Sequence, residues 1–344
     1  MMTGNPRLFD FSSDGPIPYV MRQKLTSIPT PSPGLSLSGK TVLVTGATSG
    51  VGYEAARQLA RLGAKLVMGV RNLQRAEAVK QEFLGEIPEA SIEAYQLDME
   101  SLDSVDRFVK RLSAEATTLD IALLNAGLFT RDERRVDGGW SHLMQVNFRS
   151  TAYLALCLVP LLRPKTDAGS PTSGAQPGRL VLVSSEAHAW STYQIPTQGD
   201  ILSEFQQDGV SVRPDFEYYA AKLFLALFGR ELAARLDPAE LEVVTTTPGF
   251  CASGFFPDAA SIPTRLIYLT SARSLSQGGR LHVHAATCAG SSLSGKYLRD
   301  GHVNKLSPYA ESDQGRQLQA RLWGEMTKLC ASRGVELDSG LRQA

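Results

Sequence analysis

Two side chains in the second half of the chain have the types and spacing that proton transfer requires. Tyr218 and Lys222 are four positions apart in a strongly helical stretch, so they lie on one face of a helix. A phenol loses its proton near pH ~10, and a neighbouring positive charge lowers that value. Tyr218 is therefore predicted to exchange a proton with a substrate oxygen. A lone Tyr-x-x-x-Lys pair arises by chance on many helices, but this one follows a predicted strand that ends in Ser184 and Ser185.

A glycine-rich segment near the start of the chain is of the kind that binds phosphate groups. The segment TGATSGVG, residues 45–52, joins a β-branched strand to a helix. Gly46, Gly50 and Gly52 allow a tight turn and a close approach to a pyrophosphate, at which the following helix directs free N–H groups. No Lys-Ser/Thr pair follows the last glycine, which argues against a P-loop. We predict a dinucleotide site here, with an ordinary tight turn as the alternative.

Three more strand ends point to the rest of that dinucleotide. Arg71 ends the second predicted strand, where a site for NAD usually has a carboxylate that binds the ribose 2′-hydroxyl. A guanidinium instead matches a 2′-phosphate, so we predict NADP(H), the alternative being a solvated arginine. Asp98 ends the third strand and is placed to accept a hydrogen bond from an adenine amino group, unless it simply precedes a helix. The small residues of Asn125-Ala126-Gly127, after the fourth strand, leave room for a ribose.

The elements that position these residues alternate between strands and helices from residue 40 onward. Apolar β-branched runs predict strands, and periodic apolar residues predict the helices between them. Such alternation produces parallel crossovers, so we predict an α/β fold with a doubly wound parallel sheet of Rossmann type. The predicted strands are 41–46, 65–70, 91–98, 119–127, 179–185 and 241–249, with a short last strand near 296–298. The predicted helices are 52–62, 73–84, 101–115, 140–162 and 216–235.

Composition and charge restrict the class of protein. The 344 residues include 35 basic and 35 acidic ones, so no net charge favours a nucleic acid or an anionic membrane as partner. The longest apolar stretch, residues 153–162, is about half the length that a bilayer span needs, so no transmembrane segment is predicted. The four cysteines are scattered and form no C-x-x-C, which argues against a disulfide framework or a zinc cluster. We therefore predict no metal and a reducing compartment, the cytoplasm.

The chain is predicted to hold one domain with two appendages. Residues 1–37, rich in Pro, Ser and Thr, are expected to form an extended or loosely attached arm, and residues 336–344 a tail. The domain, residues 38–335, contains an insert at 186–217 whose two ends reach the predicted active site. This insert is expected to shape or cover a substrate pocket, with surface decoration as the alternative. Its large apolar side chains include Trp190, Tyr193, Ile195 and Phe205.

Residues 38–300 resemble the short-chain dehydrogenase/reductase family, and especially its retinol-dehydrogenase-like branch and fungal biosynthetic reductases. The resemblance rests on motifs in the family's order: TGATSGVG, Asp98, Asn125-Ala126-Gly127, Asn147, Val183-Ser184-Ser185, Tyr218-Tyr219-Ala220-Ala221-Lys222 and Pro248-Gly249. It implies that Tyr218 is the catalytic acid/base and that Ser185 holds the substrate oxygen. It also implies that Lys222 binds the nicotinamide ribose and lowers the pKa of Tyr218, while Asn147 positions a water. The implied cofactor-binding residues are Thr45, Gly46, Ser49, Gly50, Val51, Gly52, Arg71, Asp98, Met99, Asn125, Ala126, Gly127, Tyr218, Lys222, Pro248, Gly249 and Ser253.

The resemblance implies an NADP(H)-dependent oxidoreductase that interconverts a ketone or aldehyde with an alcohol. Its expected substrate is a hydrophobic small molecule of secondary metabolism. One alternative is a non-redox enzyme on the same scaffold, a cyclase, isomerase or dehydratase that reuses Tyr218 and Ser185. The other is a cofactor-bound regulatory protein that contacts a partner through its N-terminal arm. Both a homo-oligomer and a monomer remain open.

Four other side chains could take part in chemistry, and most of them are interpreted as structural. His282 and His284 are two positions apart, so they do not share a helix face and are not predicted to bind a metal. His188 lies just beyond Ser185, and a contact with substrate and a structural role are both open. Cys251 is expected to be a small core residue near the nicotinamide.

Overall fold

Ten strands are found in the residues that the computed structural model describes, which are 16–115, 118–136, 138–162, 176–206, 213–253, 272–288, 293–338 and 340–341. They are β1 (Thr41–Thr45), β2 (Lys65–Val70), β3 (Ile92–Gln96), β4 (Ile121–Leu124), β5 (Arg135–Val136), β6 (Trp140–Ser141), β7 (Gly178–Val183), β8 (Leu241–Thr246), β9 (Tyr297–Arg299) and β10 (His302–Asn304). Eight of them form one sheet in the order β10-β9-β8-β7-β4-β1-β2-β3, parallel except for β10. The other two, β5 and β6, form a separate antiparallel hairpin.

Helices cover both faces of this sheet, as parallel strands with apolar residues on both sides require. They are α1 (Pro16–Leu25), α2 (Gly50–Arg61), α3 (Leu73–Glu86), α4 (Leu102–Ala114), α5 (His142–Met144), α6 (Ser150–Leu162), α7 (Pro214–Ala234), α8 (Leu275–Thr287), α9 (Pro308–Glu311) and α10 (Asp313–Ser332). The buried residues of α2, α3 and α8 share one core with one face of the sheet, and those of α4, α6, α7 and α10 share a second core with the other face. The predicted doubly wound Rossmann fold is confirmed. None of the described helices has both the length and the apolar character that a bilayer span requires.

The helix predicted over 140–162 is interrupted by a π-helical segment, Gln145–Arg149, between α5 and α6. The Thr151 hydroxyl donates a hydrogen bond to the carbonyl oxygen of Val146, five residues earlier, at 2.9 Å. One extra residue per turn at this point changes the direction of Asn147, which lies inside the segment. Apolar periodicity alone does not show such a local change of pitch, because the residues on both sides remain buried.

The N-terminal arm is helical over α1, where the expected extended conformation is wrong, and residues 26–37 contain no helix or strand. The helix begins at Pro16, a residue that suits a first helical turn because it lacks an N–H. Gln23 on α1 is buried, and Arg22 forms ion pairs with Glu186 and Asp300 of the domain. Composition predicted a loosely attached segment. It could not show the ion pairs, because Glu186 and Asp300 lie far from Arg22 in the sequence. Residues 1–15 of the arm lie outside the described residues, as do 163–175, most of the loop before β7.

Candidate active site

A cleft of about 780 Å³ opens at the carboxyl ends of the central strands. The sheet order changes direction between β1 and β4, and ligands of doubly wound sheets bind at such a crevice. All the predicted site residues except Thr45 and Asn147 line this cleft, and those two support it from beneath. The predicted residues in the lining are Gly46, Ser49, Gly50, Val51, Gly52, Arg71, Asp98, Met99, Asn125, Ala126, Gly127, Ser185, Tyr218, Lys222, Pro248, Gly249 and Ser253.

The glycine-rich loop has the shape of a phosphate cradle. Gly46 and Gly50 have positive φ values of 69° and 60°, which side chains of L-residues rarely permit. Helix α2 begins at Gly50, and its N-cap residue Ser49 makes no side-chain hydrogen bond to the first turn. A Cβ added at Gly52 would lie 2.2 Å from Asn125 Nδ2 and 2.4 Å from the Gly46 carbonyl oxygen. The loop therefore needs glycine at these positions and leaves the N-terminus of α2 facing the cleft.

Thr45 and Asn125 hold that loop against the end of β4. The Asn125 side-chain amide donates to the Thr45 carbonyl oxygen at 3.0 Å, and the Ala126 N–H donates to Thr45 Oγ1 at 3.0 Å. A Cβ at Gly46 would lie 3.1 Å from the Ala126 Cα, so the two segments are in close contact. Thr45 and Asn125 therefore connect the ends of β1 and β4 through hydrogen bonds.

Arginine side chains gather at the end of the cleft formed by β2 and β3. Arg71 is mostly exposed and pairs with Glu100 at 2.6 Å, while the Arg75 Nε donates to the Thr48 carbonyl oxygen at 3.2 Å. Asp98 accepts a hydrogen bond from the Glu100 N–H at 3.0 Å, which forms a turn after β3. Arg75, which lines the cleft, was missed by sequence reasoning. Its spacing of four from Arg71, across a helix start, is the signal that would have indicated it.

The predicted catalytic hydroxyls meet at the opposite end of the cleft. The Tyr218 side chain is buried, and its hydroxyl lies beside that of Ser185. Ser185 also caps the short 3₁₀ helix Glu186–Trp190, its Oγ accepting from the Ala187 N–H at 3.1 Å. The ring of Phe129 lies edge-on to Tyr218 with centroids 5.4 Å apart. The arrangement places two hydroxyls side by side in the lining of the cleft.

Lys222 lies one turn further along α7, beneath these hydroxyls. Its Nζ donates to the Val183 carbonyl oxygen at 3.1 Å and lies 5.7 Å from the Tyr218 ring centroid. Burial lowers the pKa of Lys222 to about 7, because the ammonium loses its hydration. Burial also raises the pKa of Tyr218, against a smaller lowering by the neighbouring Ser185 side chain. The expected lowering of the Tyr218 pKa by Lys222 is not found in the protein alone, where Lys222 does not contribute to the shift.

Asn147 is buried inside the π-helical segment and binds backbone groups. Its Nδ2 donates to the carbonyl oxygens of Leu128 and Leu143 at 2.8 and 3.0 Å, and its Oδ1 accepts from the Leu128 N–H at 3.1 Å. A Cβ at Gly127 would lie 2.8 Å from Asn147 Oδ1 and 3.3 Å from Lys222 Nζ. Asn147 therefore fixes the segment after β4 next to the lysine, and its expected water-positioning role stays a prediction.

The segment after β8 closes the cleft beside the catalytic hydroxyls. Gly249 has a φ of 71°, and its N–H donates to Thr247 Oγ1 at 3.2 Å. Ser253 N–H donates to the Cys251 carbonyl oxygen at 2.7 Å, in a turn that faces Gly50. The Cys251 thiol is buried, and burial raises its pKa to about 12, in agreement with a core role.

The insert at 186–217 contributes less to the cleft than expected. Trp190 lines the cleft and contacts Tyr219 edge-on at a centroid distance of 5.5 Å. Tyr193 and Phe205 instead stack on each other at 6.0 Å and pack into the core against α7. Residues 207–212 of the insert are outside the described residues. The insert's aromatic residues therefore divide between the cleft wall and the core, which their spacing did not reveal.

The histidines outside the cleft have structural roles. His188 Nδ1 is 2.7 Å from the Ser185 carbonyl oxygen and its Nε2 accepts from the Ser307 N–H at 3.1 Å; burial lowers its pKa to about 4. His282 is fully buried in α8, whereas His284 Nε2 lies 3.0 Å from the Gly301 carbonyl oxygen. Among the described residues no group of histidine, cysteine or acidic side chains could hold a metal ion.

Comparisons with known proteins agree with this geometry. Residues 40–196 match the family described as short chain dehydrogenase. The Short chain dehydrogenase rstn4 of Aspergillus nomiae is 53% identical over 352 aligned positions, which cover 99% of this chain and 94% of that protein. The Short chain dehydrogenase resG of Aspergillus sclerotiorum is 54% identical, covering 97% of this chain and 96% of its own. The chain is a short-chain dehydrogenase/reductase.

Solved structures share the fold of this short-chain dehydrogenase/reductase at lower identity. A protein from Mycobacterium paratuberculosis matches with a TM-score of 0.66 and 24% identity, over 91% of this chain and 100% of that one. The Pseudomonas aeruginosa RhlG/NADP active-site complex matches with a TM-score of 0.56 and 23% identity, over 78% of this chain and 97% of that one. As a member of this family, the protein is an oxidoreductase whose Rossmann fold binds a nicotinamide dinucleotide. The glycine cradle, which any Cβ at Gly52 would fill, fits that group.

A methyl group at Gly52 is expected to damage the cradle. In Gly52→Ala the new Cβ meets Asn125 and the Gly46 carbonyl oxygen, so the loop must shift. We expect a loss of about 1–3 kcal/mol in unfolding free energy and at least tenfold weaker NADPH binding. Gly85→Ala is the control, because a Cβ there meets nothing within 4 Å on α3 and is expected to be neutral or stabilising. Denaturant unfolding measures the stability of the two variants, and NADPH fluorescence titration measures their cofactor binding. Equal stability and equal binding in Gly52→Ala and Gly85→Ala would contradict the role of the glycine-rich loop as a phosphate cradle.

Proposed function

We propose that this short-chain dehydrogenase/reductase uses NADPH to interconvert a ketone or aldehyde with an alcohol on a hydrophobic small molecule, in secondary metabolism. The observation that carries the proposal is that Tyr218, Ser185 and Lys222 line one cleft, with the Tyr218 hydroxyl beside Ser185 and Lys222 on the next turn of α7. The fungal relatives named above support the metabolic context. The absence of disulfides among the four cysteines supports a reducing compartment, and we propose the cytoplasm.

The chain's own residues divide the work of the proposed reaction. The dinucleotide, when bound, supplies or accepts the hydride. Ser185 Oγ holds the carbonyl oxygen of the substrate, and the Tyr218 hydroxyl gives that oxygen its proton, or takes it back in the reverse direction. A buried phenol stays protonated at neutral pH, so Tyr218 is ready to act as the acid in reduction. Lys222 would bind the nicotinamide ribose, and its pKa of about 7 lets Nζ gain or lose a proton at physiological pH.

The walls beside the hydroxyls support an apolar substrate. Aromatic rings of Phe129, Trp190 and Tyr219 line this end of the cleft. Aromatic surfaces bind apolar, flat molecules well and leave only the reacting oxygen to be held by hydrogen bonds. A screen of ketones, aldehydes and alcohols tests the proposal, with the absorbance of NADPH as readout and NADH run in parallel. Turnover of a non-polar carbonyl supports it, and the absence of any NADPH-dependent turnover across the panel contradicts it.

Cofactor preference is assigned to Arg71, with Arg75 beside it. Both guanidinium groups line the cleft, which supports a contact with a 2′-phosphate, and several similar solved structures are described as complexes with NADP or NADPH. We expect Arg71→Asp to lower the NADPH/NADH ratio of kcat/KM by about a hundredfold, since a carboxylate that repels the 2′-phosphate replaces a guanidinium that attracts it. Arg107→Asp, an exposed charge reversal on α4, is the control. An unchanged ratio in Arg71→Asp would show that Arg71 does not read the phosphate.

A further inference from the structure

The N-terminal helix α1 reaches the active-site loops from outside the residues matched by the family. Arg22 forms ion pairs with two carboxylates, those of Glu186 and Asp300. The Gln23 side-chain amide donates to the Phe250 carbonyl oxygen at 3.3 Å. Glu186 directly follows Ser185, and Phe250 directly follows Gly249. Glu186 and Phe250 thus both lie in the cleft wall, next to Ser185 and Gly249, while Asp300 lies outside it.

The two carboxylates that Arg22 joins are buried and face the same guanidinium. Glu186 is 8% exposed and Asp300 is 5% exposed. Burial raises the pKa of Glu186, Arg22 is the strongest opposing influence, and Asp300 raises that pKa further. Without Arg22, two like charges would be left close together in a region of low polarity, which is strongly unfavourable. Arg22 therefore keeps the segment of Glu186 next to the turn of Asp300.

Asp300 extends the connection to the other side of the cleft. It lies in the two-residue turn between β9 and β10, with a φ of 56°, and Gly301 follows with 80°. Its second oxygen binds Arg273 Nη2 at 2.6 Å, and Arg273 Nη1 donates to the Pro248 carbonyl oxygen at 3.5 Å. A continuous chain of contacts thus runs from the residue after Ser185, through Arg22 and Asp300, to Pro248.

The helix also packs directly on the Pro248–Gly249 backbone. A Cβ added at Gly249 would lie 2.5 Å from Gln23 Oε1 and 2.6 Å from Arg273 Nη1. A Cβ at Gly301 would lie 2.5 Å from Pro29, in the segment that follows α1. The loop that borders the proposed nicotinamide position is therefore enclosed by the N-terminal segment and has no room to move outward.

We propose that α1 is a latch and that Arg22 is a positioning residue, which holds the Ser185 segment and the Pro248–Gly249 segment at their working separation. This inference rests on the proposed function, because the working separation is the one that hydride and proton transfer need. Loss of the latch is expected to lower kcat, since small displacements of positioned groups cost large rate factors. The KM for NADPH should change little, because the proposed phosphate-binding groups, the glycine-rich loop and Arg71, take no part in these contacts of α1.

Arg22→Gln, with Lys24→Gln as matched control, tests the latch. Both substitutions remove one positive charge from α1, but Lys24 is exposed and Arg22 is in the ion pairs. We expect Arg22→Gln to lower kcat by about tenfold or more, with the KM for NADPH within about threefold of the wild-type value. Amide hydrogen exchange, measured without substrate, should be at least tenfold faster in peptides covering residues 184–190 and 247–252. Arg22→Lys should recover most of the loss.

Equal exchange rates and equal kcat in Arg22→Gln and Lys24→Gln would overturn the latch. Should Arg22→Gln fail to fold, the double variant Arg22→Gln/Glu186→Gln removes the ion pair without leaving Glu186 charged and unpaired. The latch predicts that this variant also exchanges faster and turns over more slowly than Lys24→Gln, and wild-type values in it would overturn the inference. Wild-type protein that reduces no carbonyl contradicts the proposed function instead, and the exchange measurement then still tests the latch.

Discussion

Tyr218→Phe is expected to lower turnover by a factor of about 10³ or more and to leave NADPH binding intact. The substitution removes only the hydroxyl that lies beside Ser185, while the buried ring keeps its edge-on contact with Phe129. The substrate oxygen would then have no proton donor at the position that Tyr218 occupies. Steady-state turnover and NADPH fluorescence titration measure the two properties separately.

Tyr309→Phe is the control for this experiment. Its hydroxyl lies on α9, outside the lining of the cleft, and is buried with no hydrogen-bond partner among the described residues, so its removal should leave turnover unchanged. A Tyr218→Phe variant that keeps turnover within about tenfold of the wild type would exclude the phenol as the proton donor. A variant that loses NADPH binding as well would show that the hydroxyl, the only group removed, is also needed for cofactor binding.

Lys222→Met is expected to lose turnover and to gain stability. Burial lowers the pKa of Lys222 to about 7, whereas a lysine in the unfolded chain titrates near 10.4. Between these values the unfolded state binds the extra proton, so the native state becomes less stable as the pH falls from about 10 to 7. Methionine fills a similar volume without a charge. The loss of the hydrogen bond to Val183 offsets part of this stabilisation. The expected net increase in the free energy of unfolding is about 3 kcal/mol at pH 7.

The pH dependence of the stability gained by Lys222→Met tests whether the gain comes from removing a buried charge. Denaturant unfolding at pH 6.5, 8 and 10 should show the stabilisation of Lys222→Met shrinking towards zero as the pH rises, because both states of the wild type become neutral at this position. Lys110→Met, an exposed lysine on α4, should show no such trend. A gain that is constant with pH, or a loss at every pH, would mean that Lys222 is not held as a buried, costly charge.

The features that sequence reasoning predicted correctly are those set by local spacing. The strand–glycine–helix unit at 45–52 is visible because the glycines follow a β-branched run, and Tyr218 and Lys222 are visible because four residues make one helical turn. Both groups lie in the cleft as expected. Parallel strands end at one edge of the sheet, so the order of motifs along the chain was enough to bring Ser185 to Tyr218.

What sequence reasoning missed depends on contacts between distant positions or on burial. Arg22 and Glu186 are 164 positions apart. Nothing in the composition of the Pro-rich arm indicates that one of its arginines forms an ion pair with the domain. The π-helical segment around Asn147 gives no signal in the apolar pattern, because the residues on both sides of it are buried as in an uninterrupted α-helix. The pKa of Tyr218 was expected to fall because a cation lies nearby, but that expectation ignored desolvation, which acts on both partners.

The fate of the hydride tests the central claim most directly. NADPH deuterated at both C4 positions is incubated with the protein and a carbonyl substrate found in the screen, and the alcohol is analysed by mass spectrometry and NMR. The account predicts one deuterium at the carbinol carbon for each NADPH consumed, and none when the protein is replaced by Tyr218→Phe. A product that forms without deuterium, with NADPH unchanged, would contradict the account and identify a non-redox enzyme on this scaffold.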